Sequence, residues 1–196
     1  ALALPLALAL ALAAPPAAAG DRPAVPETLE AAAGPLAVET LAEGLSYPWS
    51  AVVLADGDLL VSEKHPGSLR RVAPDGTISA PIAGVPAVVA EANGGLLGLA
   101  LDPAFDANRR VYMAYAEAGA GDTAGLAVAR GVLAGDRLEA VETIFRQTPK
   151  VPGRQNYGGR LVFAPDGSLF VLAGERFAPE AARDPATTIG KVVRIR

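Results

Sequence analysis

The polar side chains that could do chemistry stand at the two ends of one predicted hairpin. Gln155 and Asn156 precede it, and Glu175 and Arg176 follow it. Two apolar runs between them are joined by Ala164–Gly167, an Ala-Pro-Asp-Gly turn in which proline presets one position and glycine accepts a positive φ. A carboxylate can orient or accept a proton, whereas an amide only forms hydrogen bonds near neutral pH. We therefore expect a rigid hairpin with a polar site at its ends.

The other polar and aromatic candidates are weaker. His65, in Lys-His-Pro-Gly, is predicted to be an exposed turn residue, because no carboxylate or serine flanks it in a recognisable arrangement. Gly94 and Gly95 predict a tight loop, and without a strand-to-helix context they do not indicate a phosphate or dinucleotide site. Tyr47 and Trp49 are predicted to be core aromatics.

Composition excludes several classes of site. The 196 residues include no cysteine and one histidine, so disulfides, thiol nucleophiles and multi-histidine metal sites are ruled out. Asp122, Asp136 and Asp184 lack the spacing of a calcium loop, so no metal ligands are assigned in this chain. A formal net charge of -4 gives no electrostatic footprint for nucleic acid or an anionic membrane. We expect the partner to be small or neutral.

Short apolar runs that alternate with turns predict an all-β chain, because no stretch after Ala37 sustains a helical period over three turns. Trp49–Val61 and Arg160–Val171 share one pattern: an apolar strand, a turn containing Asp-Gly, and a second apolar strand; Leu97–Tyr115 is a looser copy. Such repeats favour a β-propeller, in which neighbouring blades bury each other's faces, and a β-sandwich of unrelated hairpins is the alternative. The predicted strands are Val38–Leu41, Ser50–Leu54, Leu59–Glu63, Leu69–Ala73, Leu96–Leu101, Val111–Tyr115, Ala127–Val132, Val141–Phe145, Leu161–Phe163, Leu169–Leu172 and Val192–Ile195.

The N-terminal residues predict an export signal followed by a linker. Residues 1–19 are apolar, low in complexity and end in an A-x-A pattern, as in the remnant of a secretory signal peptide. A membrane helix is the alternative, but prolines interrupt a run that is already shorter than the roughly 20 residues a span needs. Residues 20–36 are rich in Pro, Ala and Glu and predict a linker. We expect a periplasmic or secreted protein with no membrane span.

Several short motifs form a specific combination, although each is weak alone. They are Tyr47–Ser50, Asn93–Leu97, Leu101–Pro103, Phe145–Gln147, Pro149–Lys150, Tyr157–Phe163, Gly174–Arg176 and Gly190–Ile195. Together they resemble the soluble pyrroloquinoline-quinone (PQQ) dependent sugar dehydrogenases, the family of glucose/sorbosone and aldose sugar dehydrogenases. The resemblance implies a six-bladed β-propeller, of which residues 37–196 supply about the N-terminal half.

The resemblance also implies roles for four residues. Asn156 stands where the family carries a histidine general base, and Glu175 matches the carboxylate that orients this base. Asn93 stands where the family usually has a glutamine that contacts the quinone. Arg160 is predicted either to anchor the entry of its strand or to face the central funnel, where it would contact the cofactor. The implied cofactors are PQQ and a calcium ion whose site comes from later blades. Since an amide cannot accept a proton at physiological pH, the orienting group is present here and the base is not.

Two classes of function remain open. The resemblance implies a periplasmic quinoprotein oxidoreductase that oxidises aldose sugars at the anomeric carbon to lactones, with PQQ as hydride acceptor and a separate electron acceptor. A non-catalytic propeller that serves as a binding or scaffold module is the alternative, favoured by Asn156. A calcium-dependent hydrolase or lactonase would need a set of metal-binding side chains that cannot be assembled from this sequence.

Overall fold

The computed structural model describes residues 28–196, which divide into two units, residues 28–40 and residues 41–196. In the first unit, β1 (Thr28–Leu29) pairs antiparallel with β2 (Leu36–Ala37). The predicted signal peptide, residues 1–19, and the start of the predicted linker lie outside the described residues. The strand predicted at Val38–Leu41 is wrong, because no neighbouring strand pairs with these residues.

The second unit contains three antiparallel sheets, and every other predicted strand overlaps one of their strands. The first sheet is β3 (Pro48–Val53), β4 (Leu59–Glu63) and β5 (Ser68–Val72). The second is β6 (Leu96–Leu101), β7 (Arg110–Ala118) and β8 (Thr123–Ala134), with β9 (Arg137–Arg146) and β10 (Val151–Pro152) both paired to β8. The third is β11 (Gly158–Phe163), β12 (Leu169–Ala173) and β13 (Val192–Ile195).

Helical structure is limited to α1 (Phe105–Asn108) and α2 (Pro179–Arg183) within the described residues. The first lies in the long β6–β7 connection and the second between β12 and β13. Neither has the length or apolar character that crossing a bilayer requires. The all-β prediction is confirmed.

The first and third sheets begin with the same hairpin turn. These turns are the five-residue segments Leu54–Asp58 and Ala164–Ser168. In each, the backbone amide of residue 1 donates to the carbonyl of residue 5, and the amide of residue 4 donates to the carbonyl of residue 1. The side chain of the aspartate at residue 3 accepts from the amide of residue 5. Ala73–Thr77, after β5, repeats all three hydrogen bonds. The repeated sequence pattern therefore reflects repeated local chemistry.

The second sheet is buried on both faces. On β6, Leu96 and Leu99 belong to the cluster shared with the first sheet and Leu97 to the cluster shared with the third, and a register shift between Leu96 and Leu99 interrupts the alternation of side chains. Along β7 the side chains alternate strictly, with Met113 and Tyr115 in the first cluster and Ala114 and Ala116 in the second. This period of two packs the three sheets face to face, as the propeller prediction requires.

The edge strands β3 and β11 both contact β6, the edge strand of the second sheet, and we call these three the innermost strands. They begin at one end of the sheets, which we call the site end. The Asn93 amide donates to the Arg154 carbonyl at 2.9 Å, so the residues before β6 and β11 meet there. Each of these strands also shifts register against its neighbour within its first residues, a β-bulge that redirects side chains. The shifts lie between Pro48 and Ser50, Leu96 and Leu99, and Gly158 and Arg160.

Candidate functional site

Asn156, before β11, and Glu175, after β12, lie in contact at the site end. Asn156 Nδ2 donates a hydrogen bond to Glu175 Oε1 at 2.6 Å. An ionised carboxylate only accepts, so the amide nitrogen faces Glu175 and Asn156 Oδ1 is left able to accept a hydrogen bond from a ligand. The hydrogen bond from Asn156 holds the pKa of Glu175 below its usual value. The two residues singled out at the ends of the hairpin thus form one acceptor-rich group.

Arg176 ties together the chain segments that carry this pair. Its Nε donates to the Gln155 carbonyl at 2.6 Å, Nη1 to the Ala124 carbonyl at 2.8 Å and Nη2 to the Gly153 carbonyl at 2.7 Å. The guanidinium is almost fully buried and lies 3.8 Å from the centre of the Tyr157 ring. Burial lowers the pKa of Arg176. Two of these carbonyls, Gly153 and Gln155, lie just before Asn156, and Arg176 directly follows Glu175, so Arg176 fixes the position of Asn156 relative to Glu175.

Backbone strain is concentrated at the site end. Among residues 28–196, seven residues other than glycine have a positive φ. Five of them lie at this end, whereas Arg109 and Ala140 do not; the five are Tyr47, Ala92, Asn156, Arg176 and Phe177. A left-handed backbone is unfavourable for such residues and persists only where the surroundings enforce it, as happens at ligand sites.

The Asn93 loop, residues 91–95, is held against the first sheet. Lys64 Nζ donates to the Ala92 carbonyl at 3.2 Å, and His65 Nε2 lies 3.2 Å from the Gly94 carbonyl, which can only accept. Gly95 is required here, because a Cβ on it would lie 1.9 Å from the Lys64 carbonyl. His65 lies in a turn, as predicted, but the predicted exposure is wrong: the residue is half-buried because its ring packs on this loop. The Asn93 side chain itself is exposed.

Arg160 extends from the third sheet towards the first. Its guanidinium lies 5.3 Å from the centre of the Trp49 ring. Between them the strands approach closely, since a Cβ on Gly98 would lie 2.0 Å from the Gly159 carbonyl. Arg160 is exposed and, within the described part of the chain, has no carboxylate within 4 Å. The side chain can therefore meet an anionic ligand.

The prediction of core aromatics is half correct. Trp49 is half-buried and packs against the cluster between the second and third sheets. Tyr47 is 66% exposed, because it precedes β3 with a φ of 48° that turns its side chain away from the sheet.

Sequence reasoning missed Arg154. Its carbonyl accepts from the Asn93 amide at 2.9 Å, its Nη2 contacts Asp122 Oδ1 at 2.5 Å and its Nε lies 3.3 Å from Glu91 Oε2. Arg154 thereby joins the Asn93 loop to the segment before Asn156. No local pattern could have shown this, since both carboxylates are more than thirty positions away.

An open cleft in the second unit lies away from these residues. It measures about 400 Å³ and is lined by Val53–Ala55 and Leu101–Ala107, at the end opposite the site end. Asp102 beside it already accepts hydrogen bonds from Asn108 Nδ2 at 2.8 Å and from the Tyr112 hydroxyl at 3.1 Å. Because these hydrogen bonds already engage the Asp102 carboxylate, we place the candidate site at Asn156 and Glu175.

Comparison with known proteins identifies the family. The family model described as Glucose / Sorbosone dehydrogenase matches residues 45–196. The chain belongs to this family. The aldose sugar dehydrogenase YliI of Escherichia coli strain K12 is 38% identical over 169 residues, which are 85% of this chain and 46% of that protein. This chain thus spans about half the length of this relative.

Solved structures confirm the β-propeller fold. A glucose dehydrogenase structure matches with a TM-score of 0.77 and 44% identity over 80% of this chain and 50% of that one. The PQQ-bound form of an aldose sugar dehydrogenase from Streptomyces coelicolor matches with a TM-score of 0.70 and 32% identity, over 81% of this chain and 47% of that one. The family and fold expected from the sequence motifs are both confirmed.

Proposed function

We propose that the full-length protein is an exported oxidoreductase that oxidises aldose sugars to lactones with PQQ, and that this chain supplies one side of the active site. Family membership and the PQQ-bound relative support the proposal. The observation that carries it is the Asn156–Glu175 contact, which places a carboxylate of lowered pKa behind the residue at the family's base position. The substrate identity, the product and the separate electron acceptor are parts of this proposal.

The residues present fit PQQ, a planar quinone that carries carboxylates. Arg160 offers an exposed guanidinium that no carboxylate of the described residues neutralises, and such a group pairs well with a carboxylate ligand. Asn93 offers an exposed amide that can donate to or accept from the same ligand. When bound, PQQ supplies the hydride acceptor. Arg160 and Asn93 would hold it from the third and second sheets.

The chain's own residues can bind and orient the sugar but cannot act as an efficient base. Oxidation at the anomeric carbon removes a hydride from carbon and a proton from its hydroxyl group. Asn156 Oδ1 can accept a hydrogen bond from that hydroxyl, while Glu175 fixes the amide orientation. An amide cannot retain the proton near neutral pH, so the proton must pass to water. We therefore expect slow turnover.

Calcium is proposed to lie against residues other than those described. Within residues 28–196, no group of three or more His, Asp or Glu side chains is placed to hold a metal ion. The family resemblance assigns the calcium ligands to later blades of the propeller.

A sugar-binding propeller without catalysis is the second candidate. The observation that favours it is Asn156 itself, whose Nδ2 is committed to Glu175 and whose Oδ1 can accept a hydrogen bond but not keep a proton. Both candidates use the same side chains and differ only in whether the bound hydroxyl is oxidised.

Thermal unfolding of the full-length protein tests the cofactor. A ligand that binds only the folded state stabilises it, by about 2.7 kcal/mol when present at 100 times its Kd. We expect PQQ with calcium to raise the Tm, and NAD or FAD to leave it unchanged. Stabilisation by NAD and not by PQQ would contradict the proposal. Stabilisation by PQQ without any dye-linked oxidation of aldoses would favour the non-catalytic candidate.

A further inference from the structure

Two aromatic side chains are exposed, and they share three properties. All tyrosines, phenylalanines and the tryptophan lie within residues 28–196, and of these Tyr47 is 66% exposed and Phe177 is 70% exposed, while the others are buried or half-buried. Both lie at the site end, and both have a left-handed backbone, with φ of 48° and 51°. Exposed aromatic area and a strained backbone are each unfavourable, so their coincidence points to a ligand.

Tyr47 is supported from behind by polar residues of the first sheet. Its ring centre lies 5.2 Å from that of His65 at an interplanar angle of 50°, and Lys64 Nζ lies 5.9 Å from the ring centre. The Tyr47 carbonyl accepts from the Lys64 amide at 2.9 Å. His65 in turn contacts the Gly94 carbonyl, next to Asn93. The ring is therefore fixed beside the Asn93 loop before any ligand binds, which lowers the entropy cost of binding.

Phe177 is fixed beside the Asn156–Glu175 pair. Its amide donates to Glu175 Oε1 at 3.4 Å, the oxygen that also accepts from Asn156 Nδ2. It directly follows Arg176, which is buried and bonded to three carbonyls. An apolar surface thus stands next to a group of hydrogen-bond acceptors.

We propose that Tyr47 and Phe177 are the apolar contacts for the sugar ring and determine the preference for cyclic aldoses. The substrate class in this inference rests on the proposed function. A pyranose presents hydroxyl groups at its edge and C–H groups on its faces, so a site for it needs acceptors together with a flat apolar surface. Asn156 and Glu175 supply the acceptors, and the two aromatic rings supply the surface. Neither residue takes part in proton or hydride transfer.

Steady-state kinetics of the full-length, PQQ-loaded protein test this inference. Tyr47→Ala and Phe177→Ala should each raise the KM for glucose by about threefold to tenfold, the range expected for losing one aromatic contact. The kcat should change by less than about twofold, because the hydrogen-bonding group is intact. Tyr47→Phe keeps the ring and should keep the KM. Val53 is 67% exposed and lies at the opposite end of β3. Val53→Ala is therefore the matched control and should change neither the KM nor the kcat.

Equilibrium binding separates this inference from the proposed function. Titration of glucose into the full-length protein, followed by ligand-observed NMR, should show weaker binding for both alanine variants than for Val53→Ala. Measurable turnover with an unchanged KM in both alanine variants would overturn the inference and leave the proposed function standing. Sugar binding that weakens in both variants without turnover in any form would uphold the inference and overturn the oxidoreductase. Absence of both turnover and sugar binding would overturn both.

Discussion

The two ends of the sheets are built in different ways. At the end opposite the site, three turns repeat the same hydrogen bonds within five consecutive residues; these turns are Leu54–Asp58, Ala73–Thr77 and Ala164–Ser168. At the site end, the positions of Asn156 and Glu175 depend on contacts such as Arg176 Nη1 to the Ala124 carbonyl, which spans 52 positions. The turns are specified by neighbours in sequence, and the site is specified by the packing of separate sheets.

The two ends also differ in backbone strain. The three repeated turns at the opposite end have glycine where φ is positive, at Gly57, Gly76 and Gly167. The site end instead places asparagine, arginine and aromatic residues in the left-handed region and holds them there by tertiary contacts. Tertiary packing must offset the free-energy cost of this backbone strain. We therefore expect substitutions at the site end to reduce the free energy of unfolding more, and to disturb more distant residues, than substitutions at the opposite end.

The largest effect is expected from Arg176→Met. This change leaves the carbonyls of Ala124, Gly153 and Gln155 without their donor and should destabilise the protein by about 3 kcal/mol, since each buried acceptor that loses its partner is costly. Arg194→Met at the opposite end is the control, because its ion pair with Asp166 is partly exposed and such pairs contribute about 0–1 kcal/mol.

Urea unfolding of both full-length variants measures the contrast between the two arginines. Equal losses of unfolding free energy would show that the buried guanidinium matters no more than a surface ion pair. That result would remove the distinction between the two ends.

The next effect is expected where strands approach closely. Gly98→Ala places a Cβ 2.0 Å from the Gly159 carbonyl, so two innermost strands must move apart, at a cost of about 1–3 kcal/mol. Gly167→Ala meets no atom within 4 Å and suffers only from its φ of 81°, at a cost of about 1 kcal/mol. Gly98→Ala should also weaken PQQ binding, whereas Gly167→Ala should not. Fluorescence titration with PQQ distinguishes the two, and equal Kd values would argue against a cofactor held between the innermost strands.

The sequence predicted most of the fold because strands and turns are local. The Asp-Gly signal placed two of the three repeated turns, and short apolar runs between turns placed β4, β6 and β13 at their observed bounds. The third turn, at Ala73–Thr77, carries the same signal and was missed. The strand predicted at Val38–Leu41 has apolar residues but no partner, and sequence alone cannot show whether a neighbouring strand is present.

The candidate site was less predictable. The pairing of Asn156 with Glu175 followed from a family resemblance, since nothing in their spacing requires contact. The burial of Arg176, the contact of His65 with Gly94 and the exposure of Tyr47 all depend on residues brought together by packing. Local sequence patterns cannot predict such contacts.

A smaller effect with a defined pH dependence is expected from Asn156→Asp. In the native protein the pKa of Glu175 is lowered, so its contribution to stability is present above the ordinary value of 4.5 and is lost as pH falls through the lowered folded value. An aspartate at 156 instead faces Glu175 with a like charge and should raise that pKa. The variant should therefore lose about 3 °C of Tm at pH 7 and less at pH 4, where the pair binds protons. A Tm difference that does not change with pH would show that the two side chains are not in contact in solution.

The central claim is that Asn156 occupies the position of a base and lacks the ability to act as one. Because a positioned general base contributes about 10²- to 10⁴-fold, Asn156→His in the full-length protein should raise dye-linked aldose oxidation by a factor in that range. Adding Glu175→Gln should remove much of the gain, since the imidazole would lose its orienting charge. The direct measurement is kcat with PQQ, calcium and glucose for the native protein, the single variant and the double variant. A native kcat equal to that of the histidine variant, or no gain from histidine, would contradict the account.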